Sequence, residues 1–237
     1  MKFYTEIAQY YDDIFPLNEA QVTFFKNRLG IPPKQILDVA CGTGSLLTNL
    51  CSYGYQGVGI DLNDTMIRKA EEKGCKNCIF KVSDMLTFQE GSYDLIYCIG
   101  NSLVHLINLE DIKRFLTNCK AMLNQGGIFV TQIINYNRIL KDHITSLPLI
   151  KNEAKNLTFI REYAYNNTTH LINFTTTLKV YNNTFHNTVN LYPLTSEELV
   201  TLLKQVGFTH IKLYGDFKET SYNPHESYSL VVEAYCV

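Results

Sequence analysis

The stretch that most constrains this chain is an apolar run, Ile36-Leu37-Asp38-Val39-Ala40, passing directly into Cys41-Gly42-Thr43-Gly44 and then into Leu46, Leu47 and Leu50 at helical spacing. An uninterrupted apolar run of this length reads as a strand buried on both faces, the signature of a parallel sheet rather than of an antiparallel one. Gly42 and Gly44 remove side chains where the backbone must turn sharply from strand to helix and where a ligand can approach the main chain. The same alternation then repeats. Gly57-Val58-Gly59-Ile60-Asp61 is a second short strand, and Asn63 or Asp64 caps a helix through Met66, Ile67 and Ala70. Strands follow at Cys78–Val82 and Tyr93–Ile99, a helix at about Leu109–Leu123, and a strand over Ile128–Ile134 after Gly126-Gly127. Strands alternating with helices from Gln35 to Ile134 predict βαβ units and a mostly parallel sheet.

The flanks follow other patterns. From about Tyr4 to Leu29, apolar residues recur every three or four positions, which predicts an N-terminal helical cap over residues 1–33 that ends at Pro32-Pro33. From about Leu157 to Tyr192, apolar and β-branched residues alternate with polar ones between Asn-rich turns, which predicts two or three antiparallel strands. A helix at about Ser196–Gln205 and strands near Ile211–Tyr214 and Ser227–Tyr235 return the chain to the main sheet. With 237 residues there is room for one well-buried domain and hardly for two. The expected fold class is α/β: a Rossmann-like, mostly parallel seven-stranded sheet with helices on both faces. A small antiparallel β insertion, residues 137–192, should follow its fifth strand and wall or lid the ligand-binding edge.

Composition narrows the partners. A net charge of −2 provides neither the basic footprint of a nucleic-acid binder nor a polybasic membrane surface. No apolar run has the length of a signal peptide or a membrane span. A cytoplasmic protein is expected, with its seven cysteines as reduced thiols. Cys75 and Cys78 form a C-x-x-C, but no second pair at matching spacing accompanies it, so no metal site is expected. Sequons such as Asn156-Leu157-Thr158 carry no weight without export.

The ligand is read from acids at successive strand ends. The third glycine of the dinucleotide fingerprint is absent, since the residue three after Gly44 is Leu47. Asp38 lies inside the glycine motif, where it repels a pyrophosphate but suits an ammonium and a sulfonium. Asp61 ends the second strand, placed to accept both ribose hydroxyls. Asp84 follows the third strand, suited to accept an adenine amino group beside the apolar Met85. Singly these are a turn former, a helix-entry residue and a loop carboxylate. In this order around one glycine turn, they suit S-adenosylmethionine far better than NAD.

At this point the chain resembles the class I S-adenosylmethionine-dependent methyltransferases over essentially its whole length. The resemblance implies cofactor contacts from Asp38, Gly42, Gly44, Asp61, Asp84 and Met85, completed by Ala40, Cys41, Leu62 and Ile99, with S-adenosylhomocysteine as product. Tyr10-Tyr11-Asp12 looks like the family's Tyr-Asp element that folds over the cofactor, and Tyr11 is the expected contact, with helix packing as its rival role. Further on, Cys98-Ile99-Gly100-Asn101-Ser102 with His105-Leu106, Asn135-Tyr136, Tyr192-Pro193 and Gly215-Asp216-Phe217-Lys218 look like glycine N-methyltransferase and amino-sugar N-methyltransferases. Both methylate amines, so the resemblance implies N-methylation of a small molecule, with Gly100, Asn101 and His105 lining the acceptor pocket. One departure matters. The family's carboxylate-clamping arginine precedes Asn-Tyr, and here that position is Ile134, expected as an apolar wall. Free glycine thereby loses its main anchor. Arg138 and Arg161 are possible substitutes that sequence alone cannot orient.

Methyl transfer from an activated donor asks chiefly for in-line positioning and exclusion of water. An amine must also be unprotonated, and His105, with an ordinary pKa of about 6.5, is the candidate to accept its proton; its rival role is structural. The tetrapeptide Asn/Asp-Pro-Pro-aromatic of base N-methyltransferases is absent, which disfavours a nucleic-acid acceptor. The competing readings are an RNA or protein methyltransferase and a non-catalytic S-adenosylmethionine-binding module.

Overall fold

The structure, a computed structural model, describes residues 2–237. Its centre is β1 (Gln35–Val39), in which every residue but the first is buried, as the apolar run requires. β1 lies between β2 (Gln56–Asp61) and β4 (Tyr93–Cys98), parallel to both. β3 (Cys78–Val82) and β5 (Leu123–Ile134) extend the sheet in parallel on either side. Beyond β5, β11 (Ser229–Tyr235) and β10 (Thr209–Tyr214) complete it in antiparallel fashion, in the order β10-β11-β5-β4-β1-β2-β3. Strand order reverses between β1 and β4, the point at which open α/β sheets bind ligands beyond their carboxyl ends.

Helices cover both faces. α3 (Glu19–Leu29), α4 (Ser45–Ser52) and α5 (Asp64–Glu71) pack on one side around Phe24, Phe25, Leu47 and Ile67. α6 (Leu109–Met122) and α8 (Ser196–Val206) pack on the other around Phe115, Leu116 and Leu203. α8 opens with a capping box in which Thr195 and Glu198 satisfy each other's backbone donors.

The expected continuous N-terminal helix is in fact broken. α1 (Lys2–Ile7), a 3-10 turn and α2 (Tyr11–Ile14) precede an interruption, and α3 restarts only at Glu19. Pro16 explains the break: it withholds an N–H and forces Phe15 out of helical geometry, to φ −123° and ψ 70°. Asn18 then caps the new start by accepting from Ala20 N at 2.8 Å.

After β5 and α7 (Tyr136–Lys141), the insertion is a four-stranded antiparallel sheet: β6 (Ile150–Asn152), β7 (Leu157–Asn166), β8 (Leu171–Val180) and β9 (Asn183–Leu191). β6 was not anticipated, because three residues hold no readable period. α1, the 3-10 turn and α2 pack on this second sheet through Ile7, Ala8 and Ile14 against Leu157, Phe159, Leu178 and Val180.

One thiol expectation is corrected. Cys75 and Cys78 are joined in a disulfide, because the turn between α5 and β3 brings their Cα atoms to 5.4 Å. The Cys51 sulfur lies within 4.8 Å of both. Among the described residues no helix is long and apolar enough to cross a membrane.

Candidate active site

The turn after β1 is left-handed three times, at Ala40 (φ 59°), Gly42 (φ 54°) and Gly44 (φ 66°). Gly42 is required twice over, since a Cβ there would also lie 3.1 Å from the Tyr11 ring. Gly44 serves packing instead: its Cβ would stand 2.5 Å from the Phe80 ring, and Gly44 heads α4 without being part of the cavity walls.

Asp61, at the carboxyl end of β2, holds this turn in place. One carboxylate oxygen accepts from Gly42 N at 3.0 Å and the other from Asn63 N at 2.9 Å. Asp61 lines a cavity of about 270 Å³ together with Gly42, Leu62, Ser83, Met85 and Tyr11. Leu62 is 45% exposed there, an apolar side chain that a flat ring would cover. Burial raises the Asp61 carboxyl, against the hydrogen bonds from Asn63 and Gly42 that favour its charged form.

Asp84 departs from expectation. It is not a wall residue: its carboxylate turns back to accept from Leu86 N at 2.8 Å, closing the turn that follows β3. Ser83 and Met85 take the wall in its place. A carboxylate beside free backbone N–H groups is satisfied locally before it reaches across a cavity.

A second cavity of about 510 Å³ adjoins the first and is walled by Asp38, Cys41 and Ile99 from the main sheet and by Phe159, Arg161, Tyr163, Phe174 and Thr176 from the insertion. The insertion therefore lies over the same sheet edge as the glycine turn. Asp38 is 3% exposed and accepts from the Tyr97 hydroxyl at 2.9 Å. Burial, opposed by that hydrogen bond and reinforced by the neighbouring Asp61, pushes its carboxyl up to about 8. Two acids with raised pKa values in adjoining cavities suit a cationic ligand, whose charge would favour both ionised forms.

Tyr4, Tyr11, Ala40, Gly100 and His105 wall both cavities and mark their junction. His105 is set by a 3-10 turn, Leu103–His105, that is itself anchored where Tyr192 N donates to Val104 O at 2.9 Å. Burial lowers its pKa, so the ring is neutral at pH 7. Ile134 walls the larger cavity. Asn101 also does so, but its amide is committed elsewhere: Nδ2 donates to the Tyr136 hydroxyl at 3.0 Å and Oδ1 accepts from Ile134 N at 3.0 Å. Asn135, buried, pins the loop before β11 by donating to Pro224 O and Ser227 O, so it belongs to the scaffold.

The element that closes the site is α2. Tyr11 lies over the glycine turn, and the adjacent Asp12 accepts from Thr43 and Ser45 hydroxyls at the start of α4 and from Lys73 at 2.7 Å. Burial opposes the charge on Asp12, but these bonds outweigh it and hold its carboxyl below the usual range.

Residues 36–127 match a family model described as a methyltransferase domain. The chain is 29% identical over 212 residues to a glycine/sarcosine/dimethylglycine N-methyltransferase of Actinopolyspora halophila, covering 85% of this chain and 36% of that protein. It is 29% identical over 192 residues to a glycine/sarcosine N-methyltransferase of Halorhodospira halochloris, covering 78% and 69% respectively. The chain thus carries a methyltransferase-domain match over residues 36–127 and is similar to N-methyltransferases over most of its length. A solved S-adenosylmethionine-dependent methyltransferase from Clostridium acetobutylicum shares the fold at a TM-score of 0.82, with 18% identity and 98% coverage of each chain. The chain spans about a third of the length of the Actinopolyspora relative and about two thirds of the Halorhodospira one.

Several wall residues had escaped the reading of the sequence. Tyr4 sits on α1, whose helical period does not say which face meets a cavity. Phe159, Tyr163, Phe174 and Thr176 alternate along their strands, which announces a shared face without saying what that face meets. Arg161 was flagged as a possible cation, and it does wall the cavity, whereas Arg138 does not.

Proposed function

We propose that this chain is a class I S-adenosylmethionine-dependent methyltransferase that transfers a methyl group to the nitrogen of a small amine. The observation that carries the reading is the junction at Tyr11, Ala40, Gly100 and His105, where a cavity suited to the adenosine end of the cofactor opens into a larger one that has room for an acceptor. S-adenosylmethionine supplies an already activated methyl group, so little covalent chemistry is asked of the protein. Gly42, Asp61, Leu62 and Met85 would hold the adenosine, with Asp61 accepting the ribose hydroxyls. Asp38 would face the ammonium end, and Tyr11 would exclude water above the reacting centre. His105, neutral at pH 7 because it is buried, can accept a proton or a hydrogen bond from the attacking amine. The two relatives, which methylate glycine and sarcosine by name, support an amine nitrogen as the acceptor.

The test is methyl uptake from radiolabelled cofactor with a panel of amines, amino sugars and RNA. Uptake by small amines alone is expected; uptake by RNA alone would overturn the reading. With an accepted amine, His105→Ala should lower the single-turnover rate by about 10²-fold, the low end for general acid–base catalysis, while leaving cofactor affinity intact. An unchanged rate would reduce His105 to packing.

A further inference from the structure

With Ile134 at its end, β5 brings no cation to the acceptor cavity, yet a cation is present on the opposite wall. Along β7, Phe159, Arg161 and Tyr163 point to one face, because successive side chains of a strand alternate. Across the ladder, Thr176 of β8 pairs with Arg161 and Phe174 pairs with Tyr163. These five residues form a continuous patch on the cavity wall, and Arg161 is the one lysine or arginine among the described residues that line it.

The polar atoms of this patch are undersatisfied. Arg161 donates from Nη2 to Pro148 O at 2.9 Å, but its Nε is shielded from solvent and has no hydrogen-bond partner. Among the described residues no carboxylate pairs with Arg161. Tyr163 is 4% exposed, and its hydroxyl lies beside that of Tyr136, which is engaged with Asn101. Thr176 is 3% exposed, and its hydroxyl, like Arg161 Nε, is unpartnered. Buried polar groups are hydrogen-bonded as a rule, so two unpaired donors, Arg161 Nε and the Thr176 hydroxyl, on one patch of one cavity point to an acceptor-rich ligand. The guanidinium edge formed by Nε and an Nη matches the two oxygens of a carboxylate, and hydroxyls can serve the remaining lone pairs. Phe159 and Phe174 flank the patch with apolar surface, which strengthens a charged contact by keeping water away.

We infer that Arg161, Tyr163 and Thr176 form an anion subsite that holds a carboxylate of the methyl acceptor from the β insertion, so that the acceptor is an amino-carboxylate. The inference rests on the amine reading above and adds the residues that select among amines. The inserted sheet is then the specificity element, and Ile134 at the end of β5 is an apolar neighbour of the acceptor's carbon chain.

The experiment uses the full chain saturated with S-adenosylhomocysteine. Glycine, β-alanine and γ-aminobutyrate, their primary amides and inorganic phosphate are titrated by calorimetry, and methyl transfer to the same amines is measured with the active cofactor. At least one acid should bind tenfold or more tightly than its amide, and its kcat/KM should exceed the amide's by a similar factor. In Arg161→Met this acid-to-amide ratio should fall to within about twofold, and in the near-isosteric Thr176→Val it should fall about threefold, with S-adenosylhomocysteine affinity preserved in both. Equal binding of acids and amides by the wild type, or a ratio unchanged in Arg161→Met and Thr176→Val, overturns the subsite. Tighter binding of phosphate than of every acid overturns the carboxylate assignment. Transfer to amides without acid preference sinks the subsite and leaves the amine reading standing. Acid binding that depends on Arg161 without transfer to any amine sustains the subsite and sinks the amine reading.

Discussion

Asp38 is buried and Asp61 half-buried at adjoining cavities, and their protonation is the point at which the site responds to pH. The Asp38 carboxyl is raised from its ordinary 3.8 to about 8, first by burial. A group whose folded pKa is raised in this way favours the folded state at low pH, and that contribution is lost as pH rises from about 4 through about 8. A cationic cofactor reverses the preference, because it binds better to the ionised carboxylate. Binding between pH 5.5 and 7 should therefore release close to one proton, and affinity should climb with pH toward about 8 and then level off. Calorimetry in two buffers of different ionisation enthalpy reads the proton directly; Asp38→Asn should abolish its release, and a wild type that releases none would contradict the pKa argument. Asp61 predicts a different outcome. Asp61→Ala would leave two ribose hydroxyls unpaired at about 1–3 kcal/mol each and would free the Gly42 N–H as well. Cofactor affinity should fall at least tenfold, and a wild-type value would mean that the ribose lies elsewhere.

Among the elements, α2 behaves as a latch. Its Tyr11 stands over the glycine turn while Asp12 ties it to Thr43 and Ser45 at the head of α4 and to Lys73 after α5. The ion pair is half exposed at Asp12 and contributes at most about 1 kcal/mol, whereas the two hydroxyl bonds to a charged acceptor add about 1.5–3 kcal/mol each at most. Asp12→Ala should therefore speed cofactor release more than Lys73→Met does, by roughly tenfold against twofold, with only the lysine contribution fading at high salt. Stopped-flow release of a fluorescent cofactor analogue distinguishes these, and equal effects would show that the ion pair alone holds the latch. The break at Pro16 matters here, since a continuous helix from α1 into α3 could not turn Tyr11 over the site and still bury Phe24 and Phe25 against the sheet.

Across the whole molecule, Arg28 joins the N-terminal helices to the last strand. From α3 its Nε donates to Glu233 of β11 at 2.7 Å, and its Nη1 donates to Glu219, also at 2.7 Å. Glu233 is 1% exposed and also accepts from the Tyr235 hydroxyl at 2.6 Å, with Lys212 at 3.6 Å. Removing one partner of a buried pair strands the other charge, at a cost of about 3–5 kcal/mol. Lys212 and Tyr235 soften that cost, so Arg28→Met should sit near 3 kcal/mol and lower Tm by roughly 6–12 °C for a chain of this size. Adding Glu233→Leu should recover part of the loss, because the stranded charge is gone. A double variant less stable than the single one would show that the pair contributes more than its own desolvation.

The amino-acid sequence by itself determined whatever depends on contiguous residues. The apolar run at Ile36–Val39, the glycines of the turn and the acids at Asp38 and Asp61 act through strand period and backbone conformation, which neighbouring residues set, and they were legible without coordinates. So were the mostly parallel sheet and the presence of a β insertion after β5. Tertiary structure alone decided which side chains meet. Asp84 ends a strand just as Asp61 does, yet it bonds to its own turn, because a nearby N–H competes better than a distant ligand. Period-two alternation in β7 showed that Phe159, Arg161 and Tyr163 share a face. Only the docking of the inserted sheet over the carboxyl edge of β1 and β4 turned that face toward the cavity. Arg138 and Arg161 were indistinguishable as letters; they differ because one lies on the short helix after β5 and the other on a strand whose inner face closes the site. Such convergence depends on long-range packing between segments more than a hundred residues apart, and no local pattern encodes it.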